Sequence, residues 1–434
     1  MSGYKAYPVY KESGVIGLDR LPFDWSVKKV KHIFNIGRGR VISQEELIDD
    51  GEFPVYSSQT ANDGCLGFIS TFDFDCDQLT WTTDGANAGT IFLRGGKHNC
   101  TNVCGTLQPI RSTVLLKFFL YSLQYVAQFY KRPDTNGAKI MNGEMAEILV
   151  SLPSDTEQQK IANFLDHETV KIDTLIAKQQ ELIKLLKEKR QAVISHAVTK
   201  GLNTNAPMRD SGVEWLGEVP AHWDVVAVSK IAQKITNGYV GPTRDILVED
   251  GVPYVQATHI KKGIVNFDGA YFVRENWSQQ HAKSILIEGD VLIVQTGAGT
   301  GDVGLVSKNE EGFNCHALII VQPKKEIMYG NFLSLTLQSQ YGTSVLFSLR
   351  TGGMHPHLNC GEVQFMKVPV PPVNEQVTIV DFVYRESLRF DSLIERAECA
   401  IQLMQERRTA LISAAVTGKI DVRDVKVSEK ELIA

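Results

Sequence analysis

Apolar residues recur by alternating fours and threes through two long stretches of the chain. In the first, Ile161, Leu165, Glu168, Ile172, Leu175, Gln179, Leu182, Leu186, Lys189 and Val193 follow this rhythm, which is that of a coiled-coil seam. Displaced by 218 residues (375 − 157), the same rhythm returns as Ile379, Val383, Glu386, Phe390, Leu393, Ala397, Ala400, Met404, Arg407 and Leu411. Ile176, Ile183 and Ile194, with counterparts Ile394, Ile401 and Ile412, widen each stripe, so each helix must bury one face. Thr156 and Asn374 are the expected N-caps, and Lys200-Gly201 and Gly418-Lys419 supply the glycine stops. About forty residues at ~1.5 Å each give a rod of roughly 60 Å. Equal length and shared register predict that the two helices pair with each other, antiparallel, with a globular unit at either end; the alternative is that each helix packs on its own domain.

Elsewhere the pattern shortens to strand alternation. Gly51-Glu52-Phe53-Pro54-Val55-Tyr56 and Gly251-Val252-Pro253-Tyr254-Val255 read as strands that end in polar loops, Ser57 to Thr60 and Gln256 to His259. Leu79 to Gly89 and Val291 to Gly301 read as strands running into glycine turns, where backbone amides reach a phosphate or the chain simply reverses. No Lys-Ser/Thr follows to make a nucleotide loop. The globular parts are themselves duplicated: Ser13-Gly14-Val15 and Leu21-Pro22-Phe23-Asp24-Trp25 return as Ser211-Gly212-Val213 and Val219-Pro220-Ala221-His222-Trp223, offset by 198 (223 − 25). The offsets differ by 20 (218 − 198), so the second globular part carries an insertion while the helix keeps its length. Matched helices with divergent globular parts imply one frame holding two different readers.

At 434 residues the chain is long enough for two or three domains, and 43% hydrophobic with 22% charged residues is ordinary for a globular protein. There is no apolar run long enough to span a bilayer and no basic-then-apolar start, so a cytoplasmic location is expected. Seven cysteines without framework spacing fit a reducing compartment. The cluster His98, Cys100 and Cys104 lacks the paired spacing of a structural zinc site and is read as buried thiols. The net charge of −5 argues mildly against nucleic-acid binding taken alone, but basic residues collect in the glycine-rich globular segments while acids crowd the helices.

No catalytic constellation emerges. Pro371-Pro372 lacks the preceding Asp or Asn and the following aromatic of a DNA methyltransferase motif. Asp421, Asp424 and Lys426 imitate a nuclease pattern but sit in a polar tail without a more distant first acid to hold Mg²⁺. His355 and His357 have no visible Ser or Cys partner.

Phe53-Pro54-Val55-Tyr56-Ser57-Ser58-Gln59, the glycine turns, Met354-His355-Pro356-His357-Leu358-Asn359, Val370-Pro371-Pro372-Val373-Asn374-Glu375-Gln376 and, above all, Ala206-Pro207-Met208-Arg209-Asp210-Ser211-Gly212-Val213-Glu214-Trp215-Leu216-Gly217 resemble the specificity (S) subunit of type I restriction-modification systems. The likeness covers nearly the whole chain in order; Ser151-Leu152-Pro153-Ser154 replaces the fuller Pro-Pro form in the first repeat. It implies an α+β protein in which two mixed α/β target-recognition domains are separated by two long antiparallel, coiled-coil-like helices as a pseudo-two-fold repeat. The corresponding division is an N-terminal segment 1–20, recognition domains 21–155 and 219–373, spacer helices 156–199 and 374–417, a linker 200–218 and a tail 418–434.

The resemblance also implies a non-catalytic subunit that reads a bipartite asymmetric site in double-stranded DNA and docks two methyltransferase (M) subunits, with restriction (R) subunits joining through them. It implies no cofactor of its own; S-adenosylmethionine belongs to the M subunits, ATP and Mg²⁺ to the R subunits. Arg pairs best with guanine, and Gln or Asn with adenine, in the major groove. Candidate DNA contacts in the first domain are therefore Arg38, Arg40, Ser58, Gln59, Asn62, Asn87, Arg94, Lys97, Lys131 and Arg132. In the second they are Tyr239, Arg244, Gln256, Thr258, His259, Lys261, Lys262, Thr300, Arg350 and His355. Two other classes compete: a self-sufficient nuclease or methyltransferase, which would cleave with metal or bind S-adenosylmethionine alone, and a coiled-coil scaffold without DNA affinity.

Overall fold

The computed structural model describes residues 4–135, 137–352 and 356–425. The chain divides into two compact units, 1–180 with 399–434, and 181–398. Each is α+β, and each takes one segment from both long helices, Asp155–Lys200 and Val373–Val416.

In the first unit a four-stranded antiparallel sheet runs in the order Ile91–Arg94, Gln78–Thr82, Cys104–Pro109, Phe34–Arg38. Its central strand Gln78–Thr82 is buried at every position, and so carries Leu, Trp and Thr in place of strict alternation. The second unit repeats this sheet as Val303–Leu305, Val291–Val294, Leu318–Pro323, Ala232–Asn237 and extends it past Val303–Leu305 with Gly263–Val265 and Ile260–Lys261. A smaller sheet in each unit holds one parallel pair, Val55 opposite Asn99 and Tyr254 opposite Asn314. These partners locate most of the insertion. The offset is 199 at Val55/Tyr254 (254 − 55) and already 212 at Leu79/Val291 (291 − 79), so the added residues are those building the Ile260–Val265 hairpin and the Glu275–Gln280 helix. The helices Leu116–Val126 and Gly330–Gln338 cover equivalent sheets, burying Phe118, Phe119 and Leu123 in one unit and Phe332, Leu333 and Leu337 in the other.

The repeated Leu/Val-Pro…Trp strings build the same seat in both units. Trp25 Nε1 donates to Glu157 Oε2 at 3.1 Å, and Trp223 Nε1 donates to Glu375 Oε1 at 3.2 Å. Gln158 Nε2 donates to Pro153 O at 2.9 Å and Gln376 Nε2 to Pro371 O at 2.8 Å, tying each long helix to the strand that feeds it. The other helix closes the seat from its C-terminal glycine. A Cβ on Gly418 would stand 2.4 Å from Pro22 and 3.3 Å from Trp25, and one on Gly201 would stand 3.1 Å from Trp223. Both glycines have positive φ, +69° and +72°, the left-handed stop that lets the chain leave the helix over a buried indole. Each tryptophan, 1% exposed, is therefore held between the start of one long helix and the end of the other.

The helix segments in each unit are antiparallel. Arg408 Nε meets Asp173 Oδ1 at 2.9 Å in the first unit, and Arg190 Nη1 meets Asp391 Oδ1 at 2.7 Å in the second. Paired numbers sum to 581 in both (408 + 173; 190 + 391). The buried track differs in phase from the sequence seam. Ile172 is followed by Ile176, Ile183 and Leu186, all at least half-buried, whereas Leu175 and Leu182 are 49% and 42% exposed. Each helix begins two residues earlier than expected too: Ser154 O and Pro372 O accept the first amides, so Thr156 and Asn374 lie inside the first turn. A proline-led strand exit delivers the chain already turned into the helix, which leaves no place for a later cap.

Candidate nucleic-acid interface

The polar loops after the strands gather at one edge of each domain. In the first, Arg38 Nε donates to Asn102 O, Arg40 bridges to Thr101, and Thr101 Oγ1 donates to Ser57 Oγ at 3.2 Å. Thr83 Oγ1 donates to Val103 O at 3.0 Å, and the strand Asp84–Gly85 pairs with Gly137–Lys139, itself paired with Arg132–Asp134. Arg38, Arg40, Ser58, Gln59, Asn87, Lys131 and Arg132 therefore belong to one continuous edge. Their charges differ in availability. Arg40 is held by Glu46 at 2.8 Å and Asp73 at 3.1 Å, and Arg132 by Glu144 at 2.5 Å. Gln59 Nε2 is turned inward onto Cys65 O. Asn62, exposed, sits at φ +50°, a conformation asparagine tolerates better than most side chains.

Arg94 is an interior residue. Only 2% exposed, its guanidinium lies 3.7 Å from the Tyr56 ring centre and 4.4 Å from that of Phe92, with Nη1 on Asp63 Oδ2 at 2.8 Å. It pins the 57–65 loop. Lys97 is exposed but lies at the other end of the small sheet, over Phe72 at 4.5 Å.

In the second domain the same edge carries different chemistry. Tyr239 bridges to His316, whose Nδ1 lies 3.3 Å from Tyr254 Oη, and Gln256 follows directly from that strand. Tyr239 packs edge-on against Trp277 at 4.9 Å and His281 at 5.0 Å, and those two rings stack at 4.0 Å. Burial holds the His316 imidazole below its ordinary pKa, favouring the neutral ring. Thr300 and Arg350 join this edge at the glycine turn, where Thr300 Oγ1 donates to Gly297 O at 2.6 Å and Pro356 O at 3.1 Å. Thr258, in the 3-10 helix Ala257–His259, and Arg244, in a turn, are exposed nearby in the chain.

Three candidates lie elsewhere. His259 is 1% exposed and its ring nitrogens meet Gln256 N at 2.9 Å and Asp268 Oδ1 at 3.1 Å, so it braces a turn. Lys261 and Lys262 belong to the inserted hairpin, where Lys262 lines a groove with Arg190, Tyr384 and Asp391 of the long helices. His355 lies outside the described residues, as does Lys426 of the nuclease-like triplet. Asp421 of that triplet is engaged by Arg423 at 2.6 Å. His98, read above with Cys100 and Cys104, is committed through both nitrogens, to Gln78 Nε2 and Gly96 O at 2.8 Å each.

His316, Trp277 and His281 were not anticipated. A signal existed for the first: Asn99-Cys100-Thr101 and Asn314-Cys315-His316 occupy matched positions, and Gln108-Pro109 and Gln322-Pro323 close both strands.

A family model described as type I restriction modification DNA specificity domain matches the chain twice, at residues 22–185 and 220–391. The type I restriction enzyme MjaVIII specificity subunit of Methanocaldococcus jannaschii is 23% identical over 426 residues, 94% of this chain and 95% of that protein. A Mycoplasma pneumoniae protein provisionally named type I specificity subunit S.MpnORF289P N-terminus is 44% identical over 139 residues, 32% of this chain and 74% of that one. Among solved structures, a chain from work on assembly and conformational transition of the type I R-M system shares the fold with a TM-score of 0.68 at 13% identity, covering 91% of this chain and 98% of that one. The HsdS subunit from Thermoanaerobacter tengcongensis gives 0.51 at 14% identity, over 92% and 98%.

Proposed function

The chain belongs to the type I restriction-modification DNA specificity family, and from that membership we propose that its two domains each read one half of a bipartite, asymmetric site in double-stranded DNA. The observation that carries this reading is the contrast at one edge of a shared frame: Arg40 beside Thr101 in the first domain, Tyr239 beside His316 in the second. Unlike side chains on matched strands bind unlike bases, so the two halves of the site differ.

The protein acts by positioning. It is a non-catalytic subunit, and each domain sets a methyltransferase subunit over an adenine in its half-site. Those partners supply S-adenosylmethionine and extrude the base, and restriction subunits with their ATP and Mg²⁺ join through them. Docking on the long helices is supported by apolar residues left uncovered at matched positions: Val170 and Leu388, Leu175 and Leu393, Leu185 and Leu403, between 39% and 60% exposed. The same helices set the gap between half-sites, since readers that face one side of a duplex must keep step with its ~34 Å repeat.

Genome-wide mapping of methylated adenines in the reconstituted assembly tests this. One heptad inserted into both helices is expected to change the tolerated gap and leave the bases of each half-site alone, whereas edge substitutions do the reverse. An unchanged gap defeats the spacing role.

A further inference from the structure

The glycine turns of the two domains correspond bond for bond. In the first, Ala88 N donates to Gly85 O at 3.2 Å, Gly89 N to Thr82 O at 2.8 Å and Thr90 N to Asn87 O at 3.1 Å. In the second, Thr300 N donates to Gly297 O at 3.1 Å, Gly301 N to Val294 O at 2.8 Å and Asp302 N to Gly299 O at 2.8 Å. Every donor and acceptor is displaced by 212 (300 − 88). Gly89 and Gly301 both have positive φ, and a Cβ there would lie 3.0 Å from Lys131 Cε and 3.0 Å from Arg350 Nη2 respectively. Each turn thus carries a cationic side chain across its glycine.

Among the described residues Lys131 forms no ion pair, and Arg350, whose guanidinium lies 4.7 Å from the Phe347 ring centre, keeps Nε buried without an acceptor. Burial also lowers the Lys131 pKa. At the turn tips, the amides of Ala86, Asn87, Ala298 and Gly299 donate to no acceptor among the described residues. Amides without an acceptor beside a cation make an anion seat. A DNA-reading edge meets anions as backbone phosphates, which fix register without carrying sequence.

We propose that each glycine turn with its covering cation, Lys131 in the first domain and Arg350 in the second, seats one backbone phosphate of the duplex. This rests on the DNA-reading function above and assigns these two residues to holding the duplex in register, leaving the bases to their neighbours. The seats are unequal. Asp302 lies close enough for Arg350 to act on its carboxyl, whereas the matched position in the first domain is the uncharged Thr90. The second seat is the weaker one.

The test uses the full chain assembled with its methyltransferase subunits and a cognate duplex, with affinity measured from 50 to 200 mM salt. Lys131→Gln and Arg350→Gln should each weaken binding and shrink the affinity ratio across that range by about 3-fold, the share of one phosphate contact. Lys131→Arg and Arg350→Lys should keep the parent salt dependence, Asp302→Asn should tighten binding, and the methylated sequence should stay the same throughout. A parent-like salt dependence in both glutamine variants, with melting and assembly unchanged, overturns the proposal, as does a methylation motif altered at one base. Failure of the underlying function looks different: the unsubstituted assembly would itself hold cognate and scrambled duplexes equally.

Discussion

Position by position, the two domains fill the same strand frame with different side chains. Arg94, stacked between Tyr56 and Phe92, corresponds to Val306, 1% exposed (306 − 94 = 212). Gln78, bonded to His98, corresponds to Asp290, whose Oδ2 accepts from Ile287 N at 3.0 Å. The backbone pairing is the same in both places: Arg94 opposite Gln78, and Val306 N on Asp290 O at 2.9 Å. The strand frame is therefore indifferent to what fills it, whereas the tryptophan seats that join each domain to the long helices keep the Trp–Glu hydrogen bond and the closing glycine, with Tyr7 on the second carboxylate oxygen in one and His222 in the other. Variation is wide where only one domain's loops depend on it, and narrow where both helices must meet.

Breaking the shared seat should give the largest effect. Trp25→Ala and Trp223→Ala should each cost about 3–5 kcal/mol of stability, similar in the two domains, by urea unfolding with hydrogen exchange read in each. A large loss in one and none in the other would end the equivalence. Arg94→Ala should cost about 3 kcal/mol and speed exchange in the 57–65 loop, with no such change in the second domain.

Asp290 sharpens the contrast through pH. Burial raises its pKa to about 6, so the folded second domain binds this proton more tightly than the unfolded chain. Its contribution is thus unfavourable above pH 6 and relieved as pH falls from 6 toward 4. Asp290→Asn should stabilise that domain by about 2 kcal/mol at pH 8, and the gain should vanish below pH 4. Melting of both proteins across that range checks the sign. The smallest stability change is expected on the helices: Leu185→Lys should alter stability by under about 0.5 kcal/mol yet weaken co-purification with methyltransferase subunits, whereas Ile183→Ala should cost about 1 kcal/mol or more.

Much of the fold was legible in the chain. Duplicated strings and apolar rhythm predicted two α+β domains with two long antiparallel helices, because repetition and periodicity are local properties. The phase of the buried track was not legible. A straight helix advances 3.6 residues per turn, so a stripe read at 3.5 drifts, and adjacent Leu175 and Ile176, or Leu182 and Ile183, cannot be ranked without a partner surface. The interface was harder still. Arg94 and His259 look like readers by residue type, yet Tyr56, Phe92, Asp63 and Asp268 take them up from elsewhere in the chain.

The sequence by itself determined the repeat, the helix lengths, their glycine stops and the glycine turns, each written in residues close together along the chain. Only the tertiary structure decided how each cation at the edge is partnered. Lys131 and Arg350 are drawn over glycines 42 and 49 residues away (131 − 89; 350 − 301), while Arg40 and Arg132 are drawn onto carboxylates. How strongly a charge acts on a ligand depends on the opposite charges that folding brings beside it, and that is a property of contacts across the chain.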